Sequence, residues 1–267
     1  MTSPNPHPLG ADVVRLPRRR EARMTATGLH IFSRDEFVQR RFRYRPGEHV
    51  TMVGPTGCGK TWLAYQLIGQ YASTRWPAVS LMKKPRDPVT NMYARRLKFR
   101  IVPTWPPVWS PWKPQDPPGW VVWPRTKFDP DLDRPYKANI FRKALMNAYR
   151  GNGVFRKRPR IIYVDDAYGI AIILDLDDEL IEMWTEARTM ECGLWTGFQK
   201  PSHVPLWAYS QAEHLILFND PDKRSRERFA EIGGVDPVTV RDTVMQLDAH
   251  QFMYIRRDGR RMCVVDA

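Results

Sequence analysis

Eight consecutive residues near the start of the chain have the types and spacing of a loop that binds phosphate. They match the pattern G-x-x-x-x-G-K-[ST] at every fixed position. The loop consists of Gly54, Pro55, Thr56, Gly57, Cys58, Gly59, Lys60 and Thr61. Its glycines let successive backbone N–H groups face an anion, and the following helix adds its positive N-terminus. Lys60 is expected to reach the β- and γ-phosphates of a nucleotide, and the Thr61 hydroxyl to ligate Mg²⁺.

The residues on either side of this loop predict the two elements that it needs. His49 to Val53 is a short run typical of a buried strand, and apolar side chains recur at helical spacing from Thr61 to Tyr71. A glycine-rich turn with a chance lysine is the other interpretation of the loop. The complete context of strand, loop and helix favours a nucleotide site over that turn.

A pair of acidic residues follows a later apolar run. Ile161 to Val164 predicts a buried parallel strand, and Asp165 and Asp166 come directly after it. Such a strand commonly delivers a carboxylate to the Mg²⁺ beside a phosphate loop. Asp165 is predicted to hold Mg²⁺, and Asp166 to orient or deprotonate the attacking water. Taken alone, an apolar run followed by acids also fits a strand end that turns to solvent.

Strand and helix patterns alternate along the chain and predict how these groups are brought together. Their order indicates an α/β fold with a mostly parallel central sheet flanked by helices. Residues 251–265 predict a C-terminal β-hairpin, and residues 29–46 predict one or two strands before the loop. Gln199 follows the predicted strand Leu194 to Phe198. A polar side chain at that strand end could reach the γ-phosphate, so Gln199 is a candidate sensor.

Composition divides the chain into an arm and a domain. Residues 1–28 are rich in proline and arginine and predict a flexible basic arm, with a P-loop domain at 29–267. Residues 101–124 alternate tryptophans with prolines, which predicts an extended insertion that ends in a strand. Its tryptophans could stack on bases or contact a neighbouring subunit, but packing against their own domain is the favoured interpretation.

Charge and cysteine content narrow the class of partner and compartment. The formal net charge is +13, which indicates a polyanionic partner, nucleic acid before membrane. Three cysteines without C-x-x-C spacing predict neither a zinc site nor a disulfide framework and fit a reduced compartment. No apolar run approaches a membrane span, so we expect a cytoplasmic protein.

A longer segment carries a resemblance to a known family. Residues 187–202 read A-R-T-M-E-C-G-L-W-T-G-F-Q-K-P-S. This resembles the A-R-x-x-G, apolar strand, T-Q-R-P-S segment of the FtsK/HerA family of DNA-pumping ATPases, and the phosphate loop and Asp165-Asp166 precede it in that family's order. Residues 212–224 resemble the family's next strand and helix start. The similarity extends over residues 46–235, except for a poorly matching stretch between 85 and 155.

The resemblance implies a RecA-like P-loop NTPase fold, a function, a cofactor and partners, and a location in the host cell cytoplasm if the protein is viral. It implies an ATP hydrolase that uses ATP and Mg²⁺, assembles as a homo-oligomeric ring, commonly a hexamer, and moves double-stranded DNA. Arg188 is the favoured candidate for the arginine finger that enters the neighbouring subunit's site, and Arg224 and Arg226 are the alternatives. The short chain is most similar to viral genome-packaging or plasmid-transfer ATPases, which implies a capsid or portal-type docking partner. A P-loop kinase of a small substrate and a nucleotide-gated assembly or secretion ATPase remain alternatives.

Overall fold

The computed structural model of the protein describes residues 23–108, 116–232, 234–257 and 261–267. Ten strands in these residues form one sheet, with the order β1-β10-β9-β8-β2-β7-β6-β3-β5-β4. The strands are β1 (Ile31–Phe32), β2 (Val50–Val53), β3 (Ala78–Leu81), β4 (Arg100–Val102), β5 (Gly119–Val122), β6 (Arg160–Val164), β7 (Cys192–Phe198), β8 (His214–Phe218), β9 (Phe252–Arg256) and β10 (Arg261–Val265).

The sheet is mostly parallel, as the alternating pattern predicts. Strands β8, β2, β7, β6, β3, β5 and β4 run in one direction, while β9 pairs antiparallel with β8 and β10 pairs antiparallel with β9. Every residue of β2, β3, β5, β6, β7 and β8 is buried, as expected for a sheet covered on both faces. The α/β fold class and the C-terminal hairpin are therefore confirmed.

Eight α-helices accompany the sheet in the described residues. They are α1 (Arg34–Glu36), α2 (Lys60–Tyr71), α3 (Pro88–Arg96), α4 (Pro130–Arg150), α5 (Asp177–Glu186), α6 (Leu206–Ser210), α7 (Lys223–Glu227) and α8 (Pro237–Met245). Three of them begin in the same way, with an N-cap aspartate that accepts backbone N–H bonds and a proline at the first helical position: Asp87, Asp129 and Asp236.

The helices cover opposite faces of the sheet. Residues of α4, α5, α6 and α8 join one hydrophobic cluster with Val79 and Leu81 of β3. Residues of α2 and α3 join a second cluster with the alternate β3 residue Ala78. Side chains of a strand point alternately to its two faces, so these clusters are the two sides of the sheet. The protein is consequently a three-layer α/β/α structure, and both ends of the parallel strands remain available at the sheet edges.

The prediction of one or two strands in residues 29–46 was correct only for Ile31–Phe32. Residues 34–36 form α1, and Phe37–Arg41 continue as a turn of π-helix. The alternating aromatic residues belong to a compact cluster, in which Phe37 lies 4.9 Å from the ring centre of Tyr254 and Phe42 lies 5.7 Å from that of Trp195. Burial of aromatic surface, which does not require a period of two, placed these side chains.

The proline- and tryptophan-rich stretch packs against its own domain where it is described. Trp105 is 3% exposed and Trp120 is 1% exposed. Their rings meet at right angles with 6.1 Å between centres, and Trp105 also lies 5.8 Å from Phe155. The favoured interpretation is confirmed for these two tryptophans. Trp109 and Trp112 lie outside the described residues, as do residues 1–22 of the predicted basic arm.

Two further sequence expectations concern membranes and thiols. Within the described residues, every helix is either too short or too polar to cross a bilayer. Cys58, Cys192 and Cys263 are all free thiols. Burial raises the pKa of the Cys192 thiol to about 11 and that of Cys263 to about 12, so both thiols stay protonated near neutral pH.

Candidate functional site

The phosphate loop leaves the carboxyl end of β2 and enters the first turn of α2. Gly57 has a φ of 86° and Gly59 a φ of 105°, in the left-handed region that favours glycine. A Cβ on Gly54 would lie 2.5 Å from Cβ of Phe218, so the loop can pass this buried ring only without a side chain. The three glycines therefore permit the tight path that the motif predicted.

Lys60 lies across this loop. Its Nζ donates to the carbonyl oxygens of Gly54 at 2.6 Å and Pro55 at 2.8 Å. Burial lowers the pKa of the ammonium below its ordinary value, although the neighbouring Cys58 and Asp165 oppose that change. Burial also raises the pKa of the Cys58 thiol, which keeps the thiol protonated and unreactive. The loop thus holds one cation at its centre.

Asp165 lies at the same edge of the sheet and contacts the loop directly. Thr61 Oγ1 donates to Asp165 Oδ1 at 2.5 Å, and Tyr163 OH donates to the same oxygen at 2.8 Å. Lys84 Nζ donates to Oδ2 at 2.6 Å. Burial raises the pKa of Asp165, but Lys84 and the hydroxyl donors outweigh it, so this pKa lies below its ordinary value. Asp165 is therefore an anion near neutral pH.

These oxygens fit the predicted Mg²⁺. A hydroxyl and a carboxylate oxygen are hard ligands of the type that Mg²⁺ prefers, and here they meet beside a phosphate loop. Thr61 and Asp165 would hold the ion, which would supply positive charge to the phosphate oxygens. The remaining positions around Mg²⁺ are usually filled by water and phosphate, so two protein ligands suffice.

Asp166 is held away from this cluster. Its Oδ2 forms an ion pair with Lys83 Nζ at 3.0 Å, and its Oδ1 accepts the backbone N–H of Gly169 at 3.1 Å. The cavity beside the loop is lined by Asp165 but not by Asp166. The role of Asp166 as the residue that activates water stays a prediction, and it would require the side chain to exchange both contacts.

Gln199 lies where the sequence placed it. Strand β7 pairs with β2 on one side and with β6 on the other, so Gln199 follows the strand that lies between those leading to the loop and to Asp165. The Gly54 N–H donates to the carbonyl of Phe198 at 3.1 Å, which fixes the start of the loop beside Gln199. Gln199 lines a cavity of about 160 Å³ together with Lys60, Thr61 and Asp165. It is therefore in reach of whatever occupies that cavity.

Arg188 lies at the opposite edge of the sheet. It belongs to a 3-10 turn, Ala187–Met190, that leads into the amino end of β7, whereas the phosphate loop follows the carboxyl end of β2. Its guanidinium pairs with Glu213 and is 63% exposed. Arg188 therefore does not meet the other predicted site residues within the described part of this chain.

His49 is a buried neighbour of this arginine with a testable pH response. It is 1% exposed, and its Nδ1 accepts the Leu194 N–H at 3.0 Å. Burial, and secondarily the charge of Arg188, lowers the pKa of His49 to about 4. Between pH 6.5 and about 4, His49 is protonated in the unfolded chain but stays neutral in the folded protein. The free energy of unfolding therefore falls as the pH drops through this range.

We expect His49→Asn, which keeps a polar acceptor near this position, to remove part of that pH dependence. Between pH 7 and pH 5 the wild type should lose about 2 kcal/mol more free energy of unfolding than the variant does. Urea denaturation at both pH values measures the difference. Gln39→Asn, at an exposed position without a titratable group, is the control and should retain the wild-type slope. Equal slopes for the wild type and His49→Asn would contradict the assignment.

Sequence reasoning missed three parts of this site. Lys84 and Tyr163 both contact Asp165. A second cavity of about 240 Å³ shares Thr56 and Gly57 with the first and extends to Phe218 and His250. The available signal for Lys84 was its place after β3, because carboxyl ends of parallel strands meet at one edge of a sheet. Phe218 and His250 carry no local pattern that distinguishes them from core and loop residues.

Comparisons with known proteins bear on the fold. The sequence matches no protein-family model and no curated protein. The structure is similar to the genome packaging NTPase B204 from Sulfolobus turreted icosahedral virus 2 in complex with sulfate, with a TM-score of 0.58 and 16% identity over 82% of this chain and 96% of that chain. It is also similar to VirB4 of Thermoanaerobacter pseudethanolicus, with a TM-score of 0.60 and 8% identity over 82% of this chain and 89% of that chain.

At sequence identities of 16% and 8%, the similarity of these structures shows that the two proteins share a fold with this chain. A further neighbour is the cytoplasmic domain of the Type VII secretion ATPase EccC from Thermomonospora curvata, with a TM-score of 0.52 and 12% identity over 82% of this chain and 25% of that chain. The resemblance indicated by the phosphate loop, the acidic strand and the A-R to Q-K-P-S segment is thereby confirmed in the architecture. This chain has a P-loop NTPase fold similar to those of B204 and VirB4.

Proposed function

We propose that this protein hydrolyses ATP and uses the energy to move double-stranded DNA, and that the DNA is a viral genome being packaged into a capsid. The contact that carries the ATPase part is the 2.5 Å hydrogen bond between Thr61 and Asp165. It joins the phosphate loop to a carboxylate delivered by a different strand, as hydrolysis with Mg²⁺ requires. Gln199 follows β7, the strand between β2 and β6 in the sheet.

Each residue has a defined task in this proposal. The loop N–H groups and Lys60 bind the phosphates, while Thr61 and Asp165 hold Mg²⁺. Gln199 contacts the terminal phosphate or the attacking water. Asp166 orients or deprotonates that water after release from Lys83. The cavity that contains Phe218 and His250 adjoins the loop and has the aromatic character that suits a nucleoside base.

The DNA part of the proposal rests on charge, on the neighbours and on Arg188. A net charge of +13 favours a polyanion. B204 is described as a DNA-packaging ATPase, and B204 structures contain the ATP analogues AMPPCP and ATP-γS. Arg188 is exposed at the edge remote from its own loop, which suits a ring in which it serves the next subunit. We therefore propose a homo-oligomeric ring, a hexamer by resemblance, that docks on a capsid or portal in the host cell cytoplasm.

Steady-state ATP hydrolysis at low salt, with and without long duplex DNA, tests this function. DNA should raise turnover by about tenfold, a change of about 1.4 kcal/mol in the barrier, and added salt should remove the stimulation as it releases the phosphate contacts. Heparin serves as a control for a general polyanion effect. Hydrolysis that is indifferent to DNA would contradict translocation and favour a kinase or a nucleotide-gated assembly ATPase.

A further inference from the structure

Two lysines at the end of β3 face the two aspartates at the end of β6. The strands are parallel neighbours, with Leu81 opposite Val164, so the residues that follow them run side by side. Lys83 pairs with Asp166 at 3.0 Å, and Lys84 pairs with Asp165 at 2.6 Å. The two ion pairs look equivalent in sequence, but they occupy different surroundings.

Lys84 lines the cavity beside the phosphate loop, together with Lys60, Thr61, Asp165 and Gln199. Lys83 does not line that cavity. The Lys84 side chain is 41% exposed, whereas its partner Asp165 is 3% exposed. One end of the pair is therefore fixed in the protein, and the ammonium end faces the space in which a nucleotide would bind.

The main chain at Lys84 is anchored while its side chain can move. The indole Nε1 of Trp123, directly after β5, donates to the Lys84 carbonyl oxygen at 2.6 Å. The side chain beyond that anchor is a flexible four-carbon stem with a compact ammonium group. Such a group can change partners between two nearby anions without any change in the backbone.

We propose, on the basis of the ATPase function above, that Lys84 is a second nucleotide-binding lysine of this site. Its ammonium neutralises Asp165 before nucleotide enters and contacts the terminal phosphate of a bound nucleoside triphosphate. Asp165 is then free to take part in holding Mg²⁺, and the extra cation favours a triphosphate over a diphosphate. Lys60 provides one phosphate contact through the loop, and Lys84 provides another from the neighbouring strand end.

Equilibrium binding of the ATP analogue AMPPCP and of ADP, both with Mg²⁺, tests this assignment without depending on turnover. Lys84→Met, which keeps length and removes charge, should weaken AMPPCP binding by about tenfold and ADP binding by less than about threefold, since the lost contact is to the terminal phosphate. Lys83→Met is the matched control because it removes the adjacent ion pair outside the cavity. It should leave both affinities within about twofold of the wild type.

Further variants separate binding from folding. Lys84→Gln can still donate a hydrogen bond to Asp165 and should fold even if Lys84→Met does not, yet it should show the same selective loss of AMPPCP. Equal effects on AMPPCP and ADP, or no effect on either, would overturn the proposal and leave Lys84 as a structural partner of Asp165. Lys60→Ala distinguishes failure of the Lys84 assignment from failure of the ATPase proposal. If Lys60→Ala also leaves AMPPCP binding unchanged, the proposed ATPase function fails and not the assignment of Lys84 alone.

Discussion

Replacing Arg188 by alanine should lower the ATP turnover number of the assembled protein by about 10³-fold or more, the usual effect of losing an arginine finger. Nucleotide affinity should change little, because Arg188 lies at the sheet edge opposite its own phosphate loop. The guanidinium would stabilise charge that develops on the phosphate in the neighbouring site. Phosphate release at saturating ATP measures the first effect, and equilibrium nucleotide binding measures the second.

A mixing experiment shows whether Arg188 acts on a neighbour. Lys60→Ala protein keeps Arg188 but has a defective loop, whereas Arg188→Ala protein has an intact loop and no finger. A mixture of the two should recover activity that neither has alone. Arg224→Ala, at an exposed arginine of α7, is the control and should behave as the wild type. Arg226 is a poor candidate for a finger, since it is 8% exposed and donates to the carbonyl of Asp220.

The other interpretation of Arg188 is a purely structural ion pair with Glu213. Glu213→Gln distinguishes the two, because it breaks the ion pair and leaves the arginine in place. If Arg188 is structural, Arg188→Ala and Glu213→Gln should lower the unfolding midpoint by similar amounts. Mixing Arg188→Ala with Lys60→Ala should then recover no turnover. If Arg188 is the finger, Glu213→Gln should retain most of the turnover that Arg188→Ala loses.

Lys60→Ala should lower turnover by about 10²- to 10³-fold, in the range for loss of a preorganised cation at developing charge. It should also weaken nucleotide binding, because Lys60 is the cation held within the loop by Gly54 and Pro55. Titration of a fluorescent ATP analogue and steady-state phosphate release measure the two quantities. The variant would be informative only when folded, which circular dichroism establishes.

Lys143→Ala provides the matched control for Lys60→Ala. Lys143 is exposed on α4 and does not line the cavity beside the loop. Its removal should leave both affinity and turnover within about twofold of the wild type, as for most surface substitutions. Wild-type turnover in Lys60→Ala would mean that hydrolysis takes place elsewhere or belongs to a contaminating enzyme.

Parts of the site that are formed by consecutive residues were predictable from the sequence. The loop, its strand and its helix are adjacent, and the acids follow their strand directly, so local pattern and the rules of parallel sheets located Lys60, Thr61 and Asp165. The contact between Lys84 and Asp165 joins residues 81 positions apart. Its prediction needs the order of strands β3 and β6 in the sheet, which helical and strand periodicity do not specify.

Side-chain direction was the second limit on prediction. Asp165 and Asp166 are neighbours of the same type, yet one faces the loop and the other pairs with Lys83. Successive residues after a strand project in different directions, and rotamers are decided by partners that the local pattern does not name. The strand prediction for residues 37–41 was wrong for a related reason. These residues form a π-helical turn, which aromatic packing determines and periodicity does not.

In the proposed ring, strand β7 would connect the sites of neighbouring subunits. Arg188 precedes it and Gln199 follows it, and its seven buried residues span about 23 Å. Hydrogen bonds to β2 and β6 on its two sides make it stiff, so its ends must shift together. On the proposed assignments, Gln199 at one end contacts the phosphate bound in its own subunit, and Arg188 at the other end enters the neighbour's site. Release of phosphate in one subunit would therefore shift Arg188 in the neighbouring site. The subunits would then hydrolyse ATP in sequence around the ring and not at random.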